Sequence, residues 1–407
     1  MIRPIHLPRP PVPARVQHRY PEIICSCEPT RHKDHESLKR DCFIRRVSIS
    51  TPERSVFSPV VVQEARGNKS TKSRTASIQK KNSKKKFPVL WAADMSNAEG
   101  VQDHRVYRFY EAHASVGKAG IWDPSQNKYY YVDIQGQSLH ILTLGGSEIQ
   151  REDYDVGLSV GAMALIEGGW GLVMAVRDGF GIWDFSKKKL ELVATPYGIN
   201  SGWRMNDGAC DSKGRFWAGR LFDTDETKPG QIYRLENDGK TATPVIEGIC
   251  CTNGVLWSPD STLMYVGDST TKQIFVWDYD EESGTPSNKR LLIDTSKIFH
   301  GVPDGATIDQ EGYLWTCFFD GHKMARISPE GTIDRVYDLP VKRPTQPCWY
   351  GDNLDTLLIT SASKDVNTAN CPESGNILKL HVGVQGQLKA KYKLRSRPDG
   401  VANHASS

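Results

Sequence analysis

The sequence predicts an all-β protein, a six-bladed β-propeller preceded by a disordered basic N-terminal extension. Two observations support this fold class: a recurring strand-forming segment and the spacing of its copies. Each copy begins at a polar or glycine turn and continues with β-branched, aromatic and leucine residues, which suit a buried strand. The six copies are NKYYYVDI (127–134), GWGLVMAV (169–176), GRFWAGR (214–220), STLMYVGD (261–268), GYLWTCFF (312–319) and DTLLITSA (355–362).

The copies start 42, 45, 47, 51 and 43 residues apart along the chain. A period of about 40–50 residues with several strands per unit is typical of propeller blades. Most copies are followed by a second apolar stretch, such as SLHIL, QIFVW, KMARIS or NILKL, which is expected for a hairpin partner. Six units therefore predict six blades from about Val106 onward. The strand that closes the ring is expected either from the segment after Val106 or from the late stretch KAKYKL.

The first 94 residues differ in composition from the rest of the chain. They contain 20 Lys and Arg against 8 Asp and Glu, a balance of +12, so the remainder carries −8 of the overall +4. This segment includes PRPPVPAR and KKNSKKK and has no sustained strand or helix periodicity. We therefore expect a disordered basic extension over 1–94 and the propeller over 95–407. The lysine run at 80–86 could contact RNA or direct nuclear import, but a solvated tail is the preferred interpretation.

Composition also limits the cellular setting. No apolar run approaches the roughly 20 residues that span a bilayer, and the N-terminus has no apolar core of a secretory signal. The nine cysteines form no CxxC pair, so reduced thiols are expected. These features predict a cytoplasmic protein, with nuclear location as an additional option from the basic run, and no membrane partner. A monomer is expected, although no sequence feature specifies the oligomeric state.

Three polar clusters do not belong to the strand pattern. WRMNDGACD, CTNGVLWSPD and GVPDGATID lie ahead of the third, fourth and fifth copies and contain a polar side chain followed by glycine. Asn-Gly and Asp-Gly are common turn formers, and one such pair alone would indicate only a turn. Three pairs at the same phase of a repeat would instead point to one axis. Arg204, Asn206, Asp207, Asn253 and Asp304 are therefore expected to converge in loops at the channel mouth.

Oxygen donors of this kind suit a hard cation. Carboxylate and amide oxygens are the preferred ligands of Ca²⁺ and Mg²⁺. A buried carboxylate at Asp304 would need a partner, which either a metal ion or Arg204 could supply.

The same segments resemble a known family. RMNDGACDSKGRFWAG, NGVLWSPD and GVPDGATIDQEGYLW are similar to signature segments of the regucalcin (senescence marker protein), gluconolactonase and luciferin-regenerating enzyme family. GIWDPSQNKYYYVDI resembles its first blade, and 344–362 resembles a late blade. The resemblance covers about 106–382, and animal regucalcins, such as those of insects, are the members that it resembles most. It implies a six-bladed propeller with one divalent cation, Ca²⁺ or Zn²⁺, that hydrolyses sugar lactones.

The resemblance also implies roles for individual residues. Asn253 matches a metal ligand of the family, and Asp304 matches its metal-binding catalytic aspartate. Arg204 and Asn206 match substrate-binding residues. The third metal ligand of the family is a glutamate in a Gly-Glu-x-Pro pattern, but the stretch here is VGKAGIWD and the position holds Lys118.

Lys118 puts the metal in doubt, because a charged ammonium has three donors and no acceptor. Three outcomes are open: Lys118 bridges Asp304 and replaces the metal, swings out and leaves a weak site, or itself stabilises the oxyanion of a metal-free lactonase. A weakened or absent metal is the expectation. The family's acidic substrate contact falls near Thr224, where Asp223 or Asp225 could substitute.

The sequence therefore predicts a sugar-lactone hydrolase with Asp304 as the catalytic residue and a small lactone as its partner. The main alternative is a non-catalytic protein that binds calcium or a small ligand. A protein-interaction propeller would give no reason for the polar residues to converge. Nucleic-acid binding would depend on the basic tail alone, and it is not expected.

Overall fold

The computed structural model describes residues 106–396, and these residues form a six-bladed β-propeller of 24 strands. Six four-stranded antiparallel sheets make up the blades. No helix of the described residues is long and apolar enough to cross a bilayer. The basic extension predicted over 1–94 lies outside the described residues and stays a prediction.

The strands are numbered in chain order, and five blades are built from four consecutive strands. A single strand, β1 (Tyr107–Tyr110), precedes them. The first two blades comprise β2 (Gly117–Asp123), β3 (Lys128–Asp133), β4 (Ser138–Thr143), β5 (Gln150–Asp155), β6 (Val160–Leu165), β7 (Gly171–Val176), β8 (Gly179–Asp184) and β9 (Lys189–Ala194). The next two comprise β10 (Trp203–Cys210), β11 (Phe216–Phe222), β12 (Gly230–Leu235), β13 (Ala242–Ile249), β14 (Thr252–Trp257), β15 (Leu263–Asp268), β16 (Gln273–Asp280) and β17 (Thr285–Asp294). The last two comprise β18 (Val302–Ile308), β19 (Leu314–Phe319), β20 (Lys323–Ile327), β21 (Ile333–Asp338), β22 (Pro344–Tyr350), β23 (Thr356–Ser361) and β24 (Ile377–His381).

The six recurring segments of the sequence form the second strand of each blade, namely β3, β7, β11, β15, β19 and β23. The sequence-based prediction of six blades is therefore confirmed. These strands are almost entirely buried because the neighbouring blades cover both of their faces. The apolar stretches that follow four of them are the third strands, as expected for hairpins.

The ring is closed by β1, which pairs antiparallel with β24 as the outer strand of the last blade. Of the two options left open by the sequence, the segment after Val106 is thus correct. The KAKYKL stretch does not join a blade. It crosses from the second blade to the third. The Tyr392 amide donates to the Leu165 carbonyl at 2.8 Å, and the Lys393 amide donates to the Gly214 carbonyl at 3.0 Å.

Tyr392 fixes this crossing segment, because its ring is fully buried and its hydroxyl donates to the Glu236 carbonyl at 2.5 Å. We expect Tyr392→Phe to lower the free energy of unfolding by about 1 kcal/mol, the usual net value of one such hydrogen bond. Urea unfolding would measure it, with Tyr107→Phe as the control because Tyr107 is half exposed. Equal stability of both variants would contradict this assignment.

The innermost strands of the blades surround the channel and position the candidate site. Each packs against the next in the ring β2, β6, β10, β14, β18, β22, and β22 returns to β2. All six show an irregular register against the second strand of their own blade. Such bulges bend a strand and redirect its side chains. In β2, β10, β14 and β18 the irregularity lies at or beside the polar residues singled out from the sequence.

Candidate functional site

Lys118 lies at the centre of the site, near the start of innermost strand β2, and is only 2% exposed. Its Nζ donates to Asn253 Oδ1 at 2.5 Å and to Asp304 Oδ1. Asp207 Oδ2 lies 3.7 Å from the same nitrogen. Four blades therefore contribute one side chain each to a single buried cluster, which we call the hub cluster: Lys118, Asp207, Asn253 and Asp304.

The hub residues sit within strands rather than in loops, which corrects the sequence-based expectation. Asp207 and Asp304 lie inside the register irregularities of β10 and β18, and Asn253 and Lys118 begin those of β14 and β2. The glycine after Asn253 has a φ of 57°, and Ala119 after Lys118 has the same value. The polar-glycine pairs thus mark bulges that turn side chains toward the channel, where the sequence had suggested turns ahead of the strands.

Asp207 is held by backbone donors and supplies counter-charge to the hub. Its Oδ1 accepts from the Gly208 amide and its Oδ2 from the Gly254 amide, each at 2.8 Å. Gln346 on β22 approaches Oδ1 with its Nε2 at 3.5 Å. Asp207 therefore ties β10 to β14 while it presents a fixed carboxylate to Lys118.

Asn253 is oriented by a second hydrogen-bond chain. Its Nδ2 donates to Ser269 Oγ at 2.7 Å, and Ser269 Oγ donates to the Pro303 carbonyl at 2.5 Å. The amide nitrogen is thereby turned toward Ser269, and Oδ1 is left to accept from Lys118. Because Pro303 directly precedes Asp304, this hydrogen-bond chain also holds the backbone next to Asp304.

Arg204 and Asn206 form a rim pair beside the hub. Arg204 Nη1 donates to Asn206 Oδ1 at 2.8 Å, and Asn206 Nδ2 donates to the Thr252 carbonyl at 2.9 Å. The sulfur of Cys251 lies 3.9 Å from Asn206 Nδ2 and 3.8 Å from Asn253 Nδ2, so it joins the rim pair to the hub. The structure thus brings together the four predicted site residues and the lysine at the family's third metal-ligand position: Arg204, Asn206, Asn253, Asp304 and Lys118.

Asp223 is the acidic residue that completes the rim. Arg204 Nε donates to Asp223 Oδ1 at 2.7 Å, and Arg177 Nη2 lies 2.6 Å from Asp223 Oδ2. Asp225 instead accepts from the amide and hydroxyl of Thr227 in its own turn. Of the two acidic candidates near Thr224, Asp223 is therefore the one that contacts the predicted site.

The electrostatics of the hub are set by burial and by one ammonium among carboxylates. Burial opposes the charge on Lys118, but the nearby carboxylates of Asp304 and Asp207 outweigh it and raise the pKa of the ammonium. Burial also raises the pKa of Asp304, with Lys118 acting in the opposite direction. Lys118 therefore stays charged, while Asp304 is a stronger proton acceptor than an exposed aspartate.

Three hub residues offer hard oxygen donors, yet the hub does not fit a resident divalent cation. The donors are Asn253 Oδ1, Asp304 Oδ1 and Asp207 Oδ2, and the Lys118 ammonium already contacts the first two. A metal ion would need these same oxygens and would lie beside a like charge. Elsewhere within residues 106–396, no group of three His, Cys, Asp or Glu side chains is arranged to hold a metal ion.

Sequence reasoning missed the supporting residues Cys251, Ser269 and Gln346. Ser269 directly follows the second strand of its blade, and Gln346 lies in an innermost strand with no glycine beside it. Neither carries the polar-glycine signal that exposed the other residues. Cys251 is two residues before Asn253, so its position in the CTNG segment was the one available clue.

Comparison with known proteins finds a family model and relatives that match the propeller part of the chain. The family model described as SMP-30/Gluconolactonase/LRE-like region matches residues 116–363. A 6-deoxy-6-sulfogluconolactonase of Pseudomonas putida is 31% identical over 276 residues, covering 67% of this chain and 92% of the relative. Regucalcin of Danio rerio is 32% identical over 282 residues, with coverage of 67% and 92%.

A solved structure of a regucalcin is also similar to this chain. The crystal structure of a calcium-binding protein, regucalcin, from Agrobacterium tumefaciens matches with a TM-score of 0.65 and 26% identity, covering 69% of this chain and 95% of that one. The family model alone spans more than half of the chain and includes every residue of the hub and the rim. The chain therefore belongs to the SMP-30/Gluconolactonase/LRE-like family.

Proposed function

We propose that this protein hydrolyses sugar lactones at the end of the propeller channel where the innermost strands begin. The observation that supports this most is the convergence of Asp304, Asn253 and Lys118 beside the pair of Arg204 and Asn206. A buried carboxylate can serve as a general base for ester hydrolysis, and neighbouring hydrogen-bond donors can stabilise the oxyanion. The 6-deoxy-6-sulfogluconolactonase relative supports the same reaction class.

Asp304 acts as the general base in this proposal. Its carboxylate accepts a proton from a water molecule while the water oxygen forms a bond to the lactone carbonyl carbon. The carbonyl electron pair moves to oxygen and gives a tetrahedral oxyanion. When that pair returns, the ring carbon–oxygen bond breaks and the ring oxygen takes the proton from Asp304. The product is the open-chain hydroxy acid, and Asp304 is ready for another cycle.

Arg204 and Asn206 serve substrate positioning. Arg204 is partly exposed at the rim and can donate to sugar hydroxyls, whereas Asn206 is buried and uses both ends of its amide within the protein. Asn206 therefore acts mainly by holding Arg204, together with Asp223. Fixing the ring above Asp304 lowers the entropic barrier to attack.

The proposal is tested by assaying the full chain with glucono-δ-lactone and a panel of aldonolactones, following acid release above the spontaneous rate. We expect saturable hydrolysis by the unmodified protein. Arg204→Gln should raise KM by roughly 10-fold or more, because it removes a positioning donor. Arg290→Gln is the matched control, since Arg290 pairs with Asp278 on strands far from the channel. Hydrolysis no faster than the spontaneous rate on every lactone would reject the proposal.

A second candidate function is binding of a sugar without turnover. It is favoured by one observation: the Lys118 ammonium donates to Asp304 and so occupies an oxygen of the general base. Calorimetric titration with a slowly hydrolysed sugar lactam would detect such binding. Saturable binding together with no lactone hydrolysis would support this candidate over the enzyme.

A further inference from the structure

We propose that Lys118 permanently takes the place of a metal ion, so that this site works without one and uses the ammonium as its oxyanion-stabilising group. The catalytic half of this inference rests on the proposed lactone hydrolysis. The metal-replacing half rests only on the geometry of the hub cluster.

The first step is competition for the same oxygens. Ca²⁺ binds oxygen ligands at about 2.3–2.6 Å and usually takes six to eight of them. Here the converging donors are Asn253 Oδ1 and Asp304 Oδ1, both hydrogen-bonded to Lys118 Nζ, and Asp207 Oδ2 at 3.7 Å from it. A cation among these buried oxygens would lie within a few ångströms of the ammonium. The ammonium and a metal ion therefore exclude each other.

The second step is that Lys118 is held in place. Every residue of β2 is buried, and Lys118 is followed by Ala119 in a left-handed conformation. A Cβ atom at Gly120 would collide with the Tyr129 hydroxyl, so β2 packs tightly against β3. Asp207 is fixed by two backbone amides. An outward swing of Lys118, which the sequence left open, would abandon these buried carboxylates.

The third step is the unused donor. An ammonium has three N–H groups, and within the described part of the chain Nζ donates to two acceptors, Asn253 and Asp304. The third can donate to the lactone carbonyl oxygen as negative charge develops there. No proton needs to leave Lys118, since its hydrogen bond strengthens as the oxyanion forms and weakens when the ring bond breaks.

The test combines metal titration with hydrolysis assays. The unmodified full chain, Lys118→Glu and Lys118→Met are stripped with a chelator and titrated with Ca²⁺ and with Zn²⁺ in a calorimeter. We expect no stoichiometric site in the unmodified chain. Lys118→Glu should gain one saturable site, with an affinity at least about 10-fold above any weak binding to the unmodified chain, because a third carboxylate replaces the ammonium. Lys323→Glu is the matched control, since Lys323 also pairs with an aspartate, Asp338, but on outer strands.

Hydrolysis is then measured with and without chelator. We expect the unmodified chain to be insensitive to chelation, and Lys118→Met to lose about 10²–10³-fold in kcat without rescue by either metal. One equivalent of tightly bound Ca²⁺ or Zn²⁺ in the unmodified chain, or loss of its activity on chelation, would overturn the inference while leaving the proposed hydrolysis intact. Absence of hydrolysis in all samples would instead refute the catalytic half, and the titration would still decide the metal half. The decisive measurements use the unmodified chain, so they do not depend on how well the variants fold.

Discussion

Asp304→Asn is expected to lower kcat/KM for lactone hydrolysis by about 10²–10⁴-fold, the usual contribution of a positioned general base. The amide has the shape of the carboxylate but cannot accept the proton of the attacking water. Its oxygen can still accept from Lys118, so the packing of the hub is retained. The measurement is steady-state hydrolysis of glucono-δ-lactone, corrected for the spontaneous rate.

The pH profile gives this prediction a second readout. Burial raises the pKa of Asp304, so the active carboxylate should be lost as pH falls through a value above that of an ordinary aspartate. The variant should lack this acidic limb. Asp225→Asn is the matched control, because the Asp225 carboxylate accepts hydrogen bonds from Thr227 in its own turn near the rim. An Asp304→Asn enzyme within threefold of the unmodified rate would remove Asp304 from the mechanism.

The fold could be predicted because it is repeated. Each second strand is buried on both faces, so it is apolar along nearly its whole length. This apolar pattern recurs at the blade period and can be recognised in the sequence. The closing strand could not be assigned in this way. The sequence YRFY of β1 is short, only partly buried and without a repeat partner, so its pairing with β24 depends on the closed ring as a whole.

The sequence was enough to predict which residues form the site, but not how they are arranged. The polar-glycine pairs revealed Asp207, Asn253 and Asp304 because the pairs recur at one phase of the repeat. These residues were assigned to loops because a glycine after a polar residue is common both in turns and in bulges. Asp207 had no assigned role, and its contacts with Lys118 and two backbone amides appear only when β10 meets β14.

Lys118 illustrates the limit of residue-by-residue reasoning. The sequence identified a cation at a ligand position and left three arrangements open. Choosing among them required the distances from Nζ to side chains 135 and 186 positions away in the chain. The observed arrangement is the bridge to Asp304, whereas the role of the ammonium in catalysis stays a proposal.

Lys118→Met should lower the free energy of unfolding by about 3–5 kcal/mol, as expected when one partner of a buried ion pair is removed. The methionine fills a similar volume, so the loss reports charge rather than a cavity. Asp304 and Asp207 would be left buried without their cation. Urea unfolding at neutral pH would measure the change, and Lys240→Met, at an exposed turn, should stay within about 0.5 kcal/mol of the unmodified protein.

Two further measurements separate charge from packing in this variant. Lys118→Met combined with Asp304→Asn should be more stable than Lys118→Met alone, because the second change removes a carboxylate that has lost its partner.

The stability lost in Lys118→Met should also depend on pH. Without Lys118 the pKa of Asp304 in the folded state rises further above its unfolded value, so the folded variant binds a proton that the unfolded chain has released. The free energy of unfolding of Lys118→Met is then highest in acid and falls as pH rises toward that raised pKa. The difference in stability between the variant and the unmodified protein therefore grows as pH rises. A deficit that is the same at pH 5 and pH 7 and unchanged in the double variant would mean that Lys118 stabilises the hub by packing alone.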